Sequence, residues 1–528
     1  MKKFLNIQTL LLLIFVFMSL YIIILPPVEE AVIYSVIDDG MYYPKIALNF
    51  VRTGLFTYDG ITLTNGFHPL WQILLIPVFY LFSEPMAGLK ASFIVIFFTL
   101  LISLFLFFKI TKLLSLRIAG LLFSFYIIFA NLRSFTLFYS MLESHLLLLV
   151  LLFYIYLSMK YGDKRFTQSA PSFMFGLLLS IAFISRIDTF LLIGTYFFYQ
   201  LKSSIRAKYF TPFMYSMAGT TIFILPYLIV NLVSFGHLST VSSWIKFTTP
   251  SLQTLKLPLN NFIGLLIPRI SYVLGIPDNF IIFFIILIIA ALAIIFFTRL
   301  KSAAHKKPAN DSYELKQLFV ICPEFFLFTL IHFLFVWIFA PYEAMFSVWY
   351  YVSQIIAIGL IAGILFSKIN SKVFASSAIL LIVSLIAIQI ATKNSFLQKK
   401  RMSSTKIEIA RYVKNNIHKD AVIGMYDSGI TSFFSDRKFV ALNGLIGDFE
   451  MAKLIRNNSL NKVVDKYSVQ YFVWDIREDQ LSSPYIDVFY LSGQKTLYHN
   501  FSEKEKHMGV FKLKNFSMEE WFKYRYGK

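Results

Sequence analysis

The fold class this sequence predicts is mainly α: a polytopic bundle of transmembrane helices, about 11–13 segments, with a small α/β domain at its carboxyl end. Three observations predict it. Of 528 residues, 57% are hydrophobic and 15% charged, against about 45–50% and 25% in soluble domains. Apolar runs of roughly twenty residues recur, the length that crosses a bilayer core of about 30 Å. After residue 392 the composition turns polar and no run of that length follows.

The elements follow in order. The apolar run from Phe4 to Leu25 exceeds the roughly 7–15 residues of a secretory signal and lacks a small-residue cleavage site. It is read as a retained first helix with its amino end in the cytoplasm. Further segments lie at 68–83, 91–108, 117–131, 145–158, 172–185, 188–201, 213–233, 261–275, 279–298, 318–340, 346–367 and 373–391. Cations cluster between them: Lys109/Lys112/Arg117, Lys160/Lys164/Arg165, Lys202/Arg206/Lys208, Arg299/Lys301/Lys306/Lys307 and Lys368/Lys372. If every segment crossed, most clusters would face outward, against the positive-inside rule. If the two short proline-containing segments, 68–83 and 261–275, stop short, all clusters become cytoplasmic and about eleven crossings remain. The predicted location is thus a bacterial inner or plasma membrane, amino end inside, C-terminal domain outside.

Residues 1–392 then form the transmembrane domain, with a first outer loop at 26–67, and 393–528 the soluble one. In the latter, SSTKIEIARYVKNNI has helical spacing, with Ile407, Ala410, Val413 and Ile417 on one face. KDAVIGMYDSG and VQYFVWD read as short strands. The formal charge of +20 is assigned to cytoplasmic loops and anionic lipid, not to nucleic acid. A lone cysteine, Cys322, excludes an internal disulfide framework and a cysteine-rich metal site.

This topology gathers the polar interruptions on the outer side. Ionisable residues beside hydrocarbon are costly and mark function. Asp38 and Asp39 open the first outer loop. Asp39 reads either as a helix start signal or, like Asp38, as a carboxylate raised in pKa for base chemistry. YYPKIALNFVRT after them, with Tyr43, Ile46, Ala47, Phe50 and Val51 on one side and Gly54 as stop, reads as an amphipathic helix on the membrane surface. TYDG and LTNG turn the loop back toward Asn65 and His68. Glu143 either pairs with Arg133 or solvent, or orients an acceptor or metal; the neighbouring His145 reads as interfacial. Arg186 and Asp188 close a tight interhelical turn as an ion pair, or Arg186 grips phosphate through its bidentate fork. The loop 231–246 adds Asn231, His237, Ser242, Ser243 and Lys246, a cation on a face poor in them. No nucleotide-binding glycine loop, H-E-x-x-H or G-x-S-x-G occurs. An activated substrate would therefore arrive through the membrane.

In order along the chain, Ile37-Asp38-Asp39-Gly40 with Tyr42-Tyr43, Thr64-Asn65-Gly66-Phe67-His68-Pro69-Leu70-Trp71, Tyr139-Ser140-Met141-Leu142-Glu143 and Ser185-Arg186-Ile187-Asp188 resemble the integral-membrane glycosyltransferases of the GT-C superfamily. Protein O-mannosyltransferases and lipid A aminoarabinose transferases belong to that superfamily. Trp349-Tyr350-Tyr351, Asp427-Ser428-Gly429 and Leu442-Asn443-Gly444-Leu445 extend the likeness. Two positions depart: Ile187 where many relatives have proline, and Glu143 where aspartate is common.

The resemblance implies inverting transfer of a single sugar from a polyprenyl-phosphate donor to a hydroxyl of a glycan, glycolipid or protein outside the cytoplasm. In that scheme Asp38 is the base, and Asp39 and Glu143 position acceptor or sugar. Arg186 and Lys246 hold the departing phosphate, and Asp188, His68, Asn65, His237 and Tyr350 complete the substrate-binding set. A divalent cation on Asp38, Asp39 and Glu143 is the one cofactor left open. The rival readings are a transporter or lipid flippase, a polysaccharide polymerase or ligase, and an inactive scaffold.

Overall fold

The computed structural model describes residues 2–247, 315–339, 347–369 and 376–380, together with most of 401–523. The expected segments 261–275 and 279–298, and most of 373–391, lie outside the described residues.

Four described helices are long and apolar enough to span a bilayer, ending at Ile24, Leu113, Tyr161 and Phe235; a fifth span is the pair Ile118–Ala130 and Leu132–Phe138, bent by 48°. Ser169–Ser185, Pro323–Phe339 and Val352–Ser367 are shorter apolar helices. The chain is a polytopic membrane protein. Pro69–Leu81 has 13 residues with Pro77 inside it, about 20 Å of helix. That is shorter than a bilayer core of about 30 Å.

Lys112, Lys160 and Arg206 occupy the last turns of their helices. Glu143 and the Ile187–Thr189 turn instead stand immediately before helices starting at Ser144 and Phe190. Cations and acidic interruptions thus sit at opposite helix ends. Arg165 breaks the pattern, being 1% exposed. Its Nε and Nη2 donate to Glu324 at 3.0 and 3.1 Å, and Tyr154 donates to the same carboxylate at 2.8 Å. It is a buried ion pair joining helices, not a solvated cation. Glu324→Ala should therefore cost about 3–5 kcal/mol, because it strands a buried guanidinium; denaturant unfolding in detergent measures it.

The first outer loop carries the predicted helix, Tyr42–Thr53, stopped by Gly54 at φ +74°. It does not lie on the membrane surface. Tyr43 and Ala47 pack into the bundle core, while Tyr42 and Ile46 pack into the core of the sheet domain. Apolar side chains on two sides make it a wedge, and Lys45 and Arg52 both reach Asp436 beyond it.

The sheet domain opens with helix Arg401–Asn416, whose Ile407, Ala410 and Val413 are buried as the spacing requires, as is Ile417 just past its end. Five strands follow: β1 Val422–Met425, β2 Lys438–Ala441, β3 Tyr471–Arg477, β4 Ile486–Thr496 and β5 Lys506–Leu513. Their order is β2-β1-β3-β5-β4. β2 and β3 run parallel to β1, and β5 runs antiparallel to β3 and β4. Alternation along β1 sends Ile423 and Met425 toward the wedge helix and Val422 to the opposite face.

Candidate active site

One cavity, about 90 Å³, opens where the acidic loop, the helix ends and the sheet domain meet. Asp39, Tyr43, His68, Glu143, Arg186, Asp188, Ser242, Ser243, Lys246, Tyr350 and Leu445 are among the residues lining it.

Arg186 organises the floor. It follows helix Ser169–Ser185 in extended conformation, so its side chain turns away from the helix. Nε donates to Asp188 Oδ2 at 2.9 Å, and Nη1 donates to Glu143 Oε1 at 2.9 Å and to the Trp349 carbonyl at 2.6 Å. The guanidinium lies 4.8 Å from the centre of the Tyr350 ring. Glu143 is thus paired with Arg186, not Arg133. It also accepts from the Tyr43 hydroxyl at 2.8 Å. Burial alone would raise its pKa, but His68 and Arg186 hold it below the usual carboxylate value. Asp188 is likewise held well down: burial opposes this, but Arg186 and His332 outweigh it.

His68 Nδ1 accepts from the Ile187 amide at 3.3 Å, which leaves Nε2 protonated and 3.5 Å from Glu143. Burial, the largest influence, lowers its pKa. The Glu143 carboxylate opposes that effect across the 3.5 Å gap. His332 belongs to the same network through its 3.1 Å contact with Asp188. It was not among the sequence candidates, although a lone histidine inside the apolar helix Pro323–Phe339 is a readable signal.

The two adjacent aspartates part company. They sit on a 3₁₀ turn, Asp38–Met41, where successive side chains point about 120° apart. Asp39 faces the cavity, 4.0 Å from Lys246 Nζ. Burial pushes its carboxyl up to about 6, with Lys246 opposing and Asp427 and Asp38 adding to the rise. Lys246 keeps its proton: burial lowers its pKa, but Tyr350 and Asp39 outweigh that and carry it above the ordinary value.

Asp38 does not line the cavity. It turns toward the sheet domain, accepting from Lys406 Nζ at 2.8 Å and from the amides of Gly429 and Ile430 at 2.8 and 3.2 Å. Position 429 has room only for glycine, because a Cβ there would lie 2.1 Å from the Asp38 carbonyl oxygen. Lys406 was missed in the sequence. It shares the 4–7–11 spacing of the buried stripe Ala410, Val413 and Ile417, a readable anomaly for a lysine.

Two further candidates stand outside the cavity. Asn65 is a brace: its amide donates to Asn231 and to the Ser239 carbonyl and accepts from the Val241 amide. His237 stacks on Phe449, ring centres 4.0 Å apart. The expected carboxylate set for a cation is also rearranged. Asp38, Asp39 and Asp427 bring one oxygen each within 4.8 Å, while Glu143 is engaged by Arg186 and Tyr43. The Lys406 ammonium, on Asp38 and on the Asp427 carbonyl at 2.7 Å, already supplies positive charge there.

A domain of unknown function, DUF8728, matches residues 393–520. No curated protein matches the chain significantly. Among solved structures, ArnT from Cupriavidus metallidurans bound to undecaprenyl phosphate aligns with TM-score 0.54 and 10% identity, over 96% of this chain and 97% of that one. The apo form of the same protein gives 0.52, with the same identity and coverage. An apo oligosaccharyltransferase from Archaeoglobus fulgidus gives 0.45 at 13% identity, over 90% and 70% of the two chains. The chain therefore has the fold of ArnT, the helical bundle with a C-terminal α/β domain that its sequence motifs led one to expect.

Proposed function

We propose that this protein is a membrane glycosyltransferase that moves one sugar from a polyprenyl-phosphate carrier to an acceptor hydroxyl of an envelope glycan, glycolipid or protein. One observation carries the reading: a carboxylate of raised pKa, Asp39, faces a buried-side cation, Lys246, across 4.0 Å in a cavity floored by Arg186. Base and phosphate-binding groups line the same cavity. The ArnT structure with undecaprenyl phosphate supports a lipid-linked donor for this fold.

In the reaction, Asp39 takes the acceptor proton as the oxygen attacks the anomeric carbon. The new C–O bond forms as the bond to phosphate breaks, and the lipid phosphate leaves with the electron pair. Attack from the face opposite the leaving group inverts the anomeric centre. Lys246 and Arg186 stabilise the charge developing on phosphate. Glu143 and Asp188 hold Arg186, and His68 holds Glu143. Lys112, Lys160 and Arg206 at the opposite helix ends support a reading in which the cavity faces the outer side and the amino end the cytoplasm.

Undecaprenyl phosphate titrated into the purified protein in nanodiscs tests the reading. Wild type is expected to bind it, and Lys246→Ala to bind about tenfold more weakly, the loss of one charge-assisted contact. Equal affinity of the two proteins would remove Lys246 from the phosphate site.

A further inference from the structure

The sheet domain touches the cavity at two places that the transfer chemistry does not explain. The loop after β1 holds the acidic turn. Gly429 and Ile430 donate to Asp38, and Ser428 shares a 2.7 Å hydrogen bond with Tyr58. The segment after β2 holds the helix that carries Lys246, Val241–Phe247. There Phe449 meets His237 at 4.0 Å, Trp244 edge-on at 6.3 Å and Phe235 at 6.5 Å. Arg456 lies over Trp244 at 5.1 Å. Gly444, at φ +70°, lets Ile245 approach, since a Cβ there would come within 2.7 Å of it.

β1 and β2 are adjacent and parallel, so the segments leaving their carboxyl ends emerge side by side, about 4.8 Å apart at the strands. The segment after β1 carries the contacts to Asp38, and the segment after β2 carries those to the Lys246 helix together with the Asn443 hydrogen bond to the Tyr42 hydroxyl at 3.1 Å. The two clasped segments lie some two hundred residues apart in the chain. A hydrogen-bonded strand pair is a stiff spacer, and the Asp39–Lys246 gap spans 4.0 Å.

We propose that the sheet domain is a structural half of the active site, with Asp38 positioning Asp39 through the β1 loop and Phe449 positioning Lys246 through the β2 segment. This rests on the transfer reading above and gives the matched domain of unknown function a task. Neither residue touches substrate; each acts through its neighbour.

The test uses the full-length protein in nanodiscs, wild type against Phe449→Ala and Phe449→Trp. Two quantities are read: hydrogen exchange over residues 236–247 and affinity for undecaprenyl phosphate. Phe449→Ala should exchange faster over 236–247 but not over the acidic turn, and should bind about tenfold more weakly, matching Lys246→Ala. Phe449→Trp, which keeps a ring for the stack, should restore both. Unchanged exchange in Phe449→Ala overturns the proposal, as does faster exchange with wild-type affinity. Should Phe449→Ala not fold, Phe449→Leu, which retains apolar volume without the ring, carries the same comparison. If wild type does not bind undecaprenyl phosphate, the transfer reading fails and the positioning role falls with it. The exchange data then decide separately whether Phe449 holds the helix.

Discussion

Asp39→Asn should reduce sugar transfer by about 10²–10⁴-fold, the usual contribution of a positioned general base, while undecaprenyl phosphate still binds. Asparagine keeps the shape and removes only the capacity to take a proton. The pH dependence gives a second signature. A base works in its ionised form, and burial pushes Asp39 up to about 6. The rate should therefore be flat above that pH and fall tenfold per unit below it. Asp38→Asn should behave differently. It loses the charge facing Lys406 and weakens the grip on Gly429 and Ile430, so transfer drops through misplacement. The acid limb should survive in Asp38→Asn, shifted below pH 6 because the Asp38 charge contributes to the rise, and vanish in Asp39→Asn. Rate measurements from pH 5 to 8 on both variants decide which aspartate is the base.

The second large effect is expected at Arg186. Its guanidinium is the shared counter-charge of Glu143 and Asp188, with side-chain exposures of 3% for Arg186, 3% for Glu143 and 12% for Asp188. Arg186→Ala leaves two carboxylates with little access to water and no cation between them. Breaking a buried pair by removing one partner costs about 3–5 kcal/mol. Thermal unfolding in detergent should show that loss, together with loss of transfer. Arg186→Lys keeps the charge but cannot donate at once toward Asp188, Glu143 and the Trp349 carbonyl in the same plane. It should recover much of the stability and little of the transfer. Full activity in Arg186→Lys would mean that charge alone suffices and the fork geometry is idle.

Much of the architecture was legible because membrane spans and amphipathic helices write long, repeated patterns. Helix Tyr42–Thr53 and its glycine stop follow from spacing alone. So do the buried face of Arg401–Asn416 and strands β1 and β3. Glu143, Arg186, Asp188 and Lys246 were readable as candidates because charge beside hydrocarbon is costly. What each one faces was not readable. Adjacent aspartates on a 3₁₀ turn diverge by about 120°, and the motif does not say which of them points inward. The partner that claims Asp38, Lys406, lies more than three hundred residues away, and no local period encodes that meeting. The wedge role of Tyr42–Thr53 was hidden for the same reason. An amphipathic helix looks identical in sequence whether lipid or a second domain covers its outer side.

The most direct test of the account is the envelope glycan mass profile of cells whose sole copy carries Asp39→Asn, compared at equal protein level with wild type and with a deletion strain. The account predicts that deletion and Asp39→Asn both lose the same defined sugar, whose mass then identifies the transferred residue and whose carrier identifies the acceptor. A profile for Asp39→Asn that matches wild type, while deletion loses a sugar, would contradict Asp39 as the base. No loss on deletion would contradict sugar transfer itself.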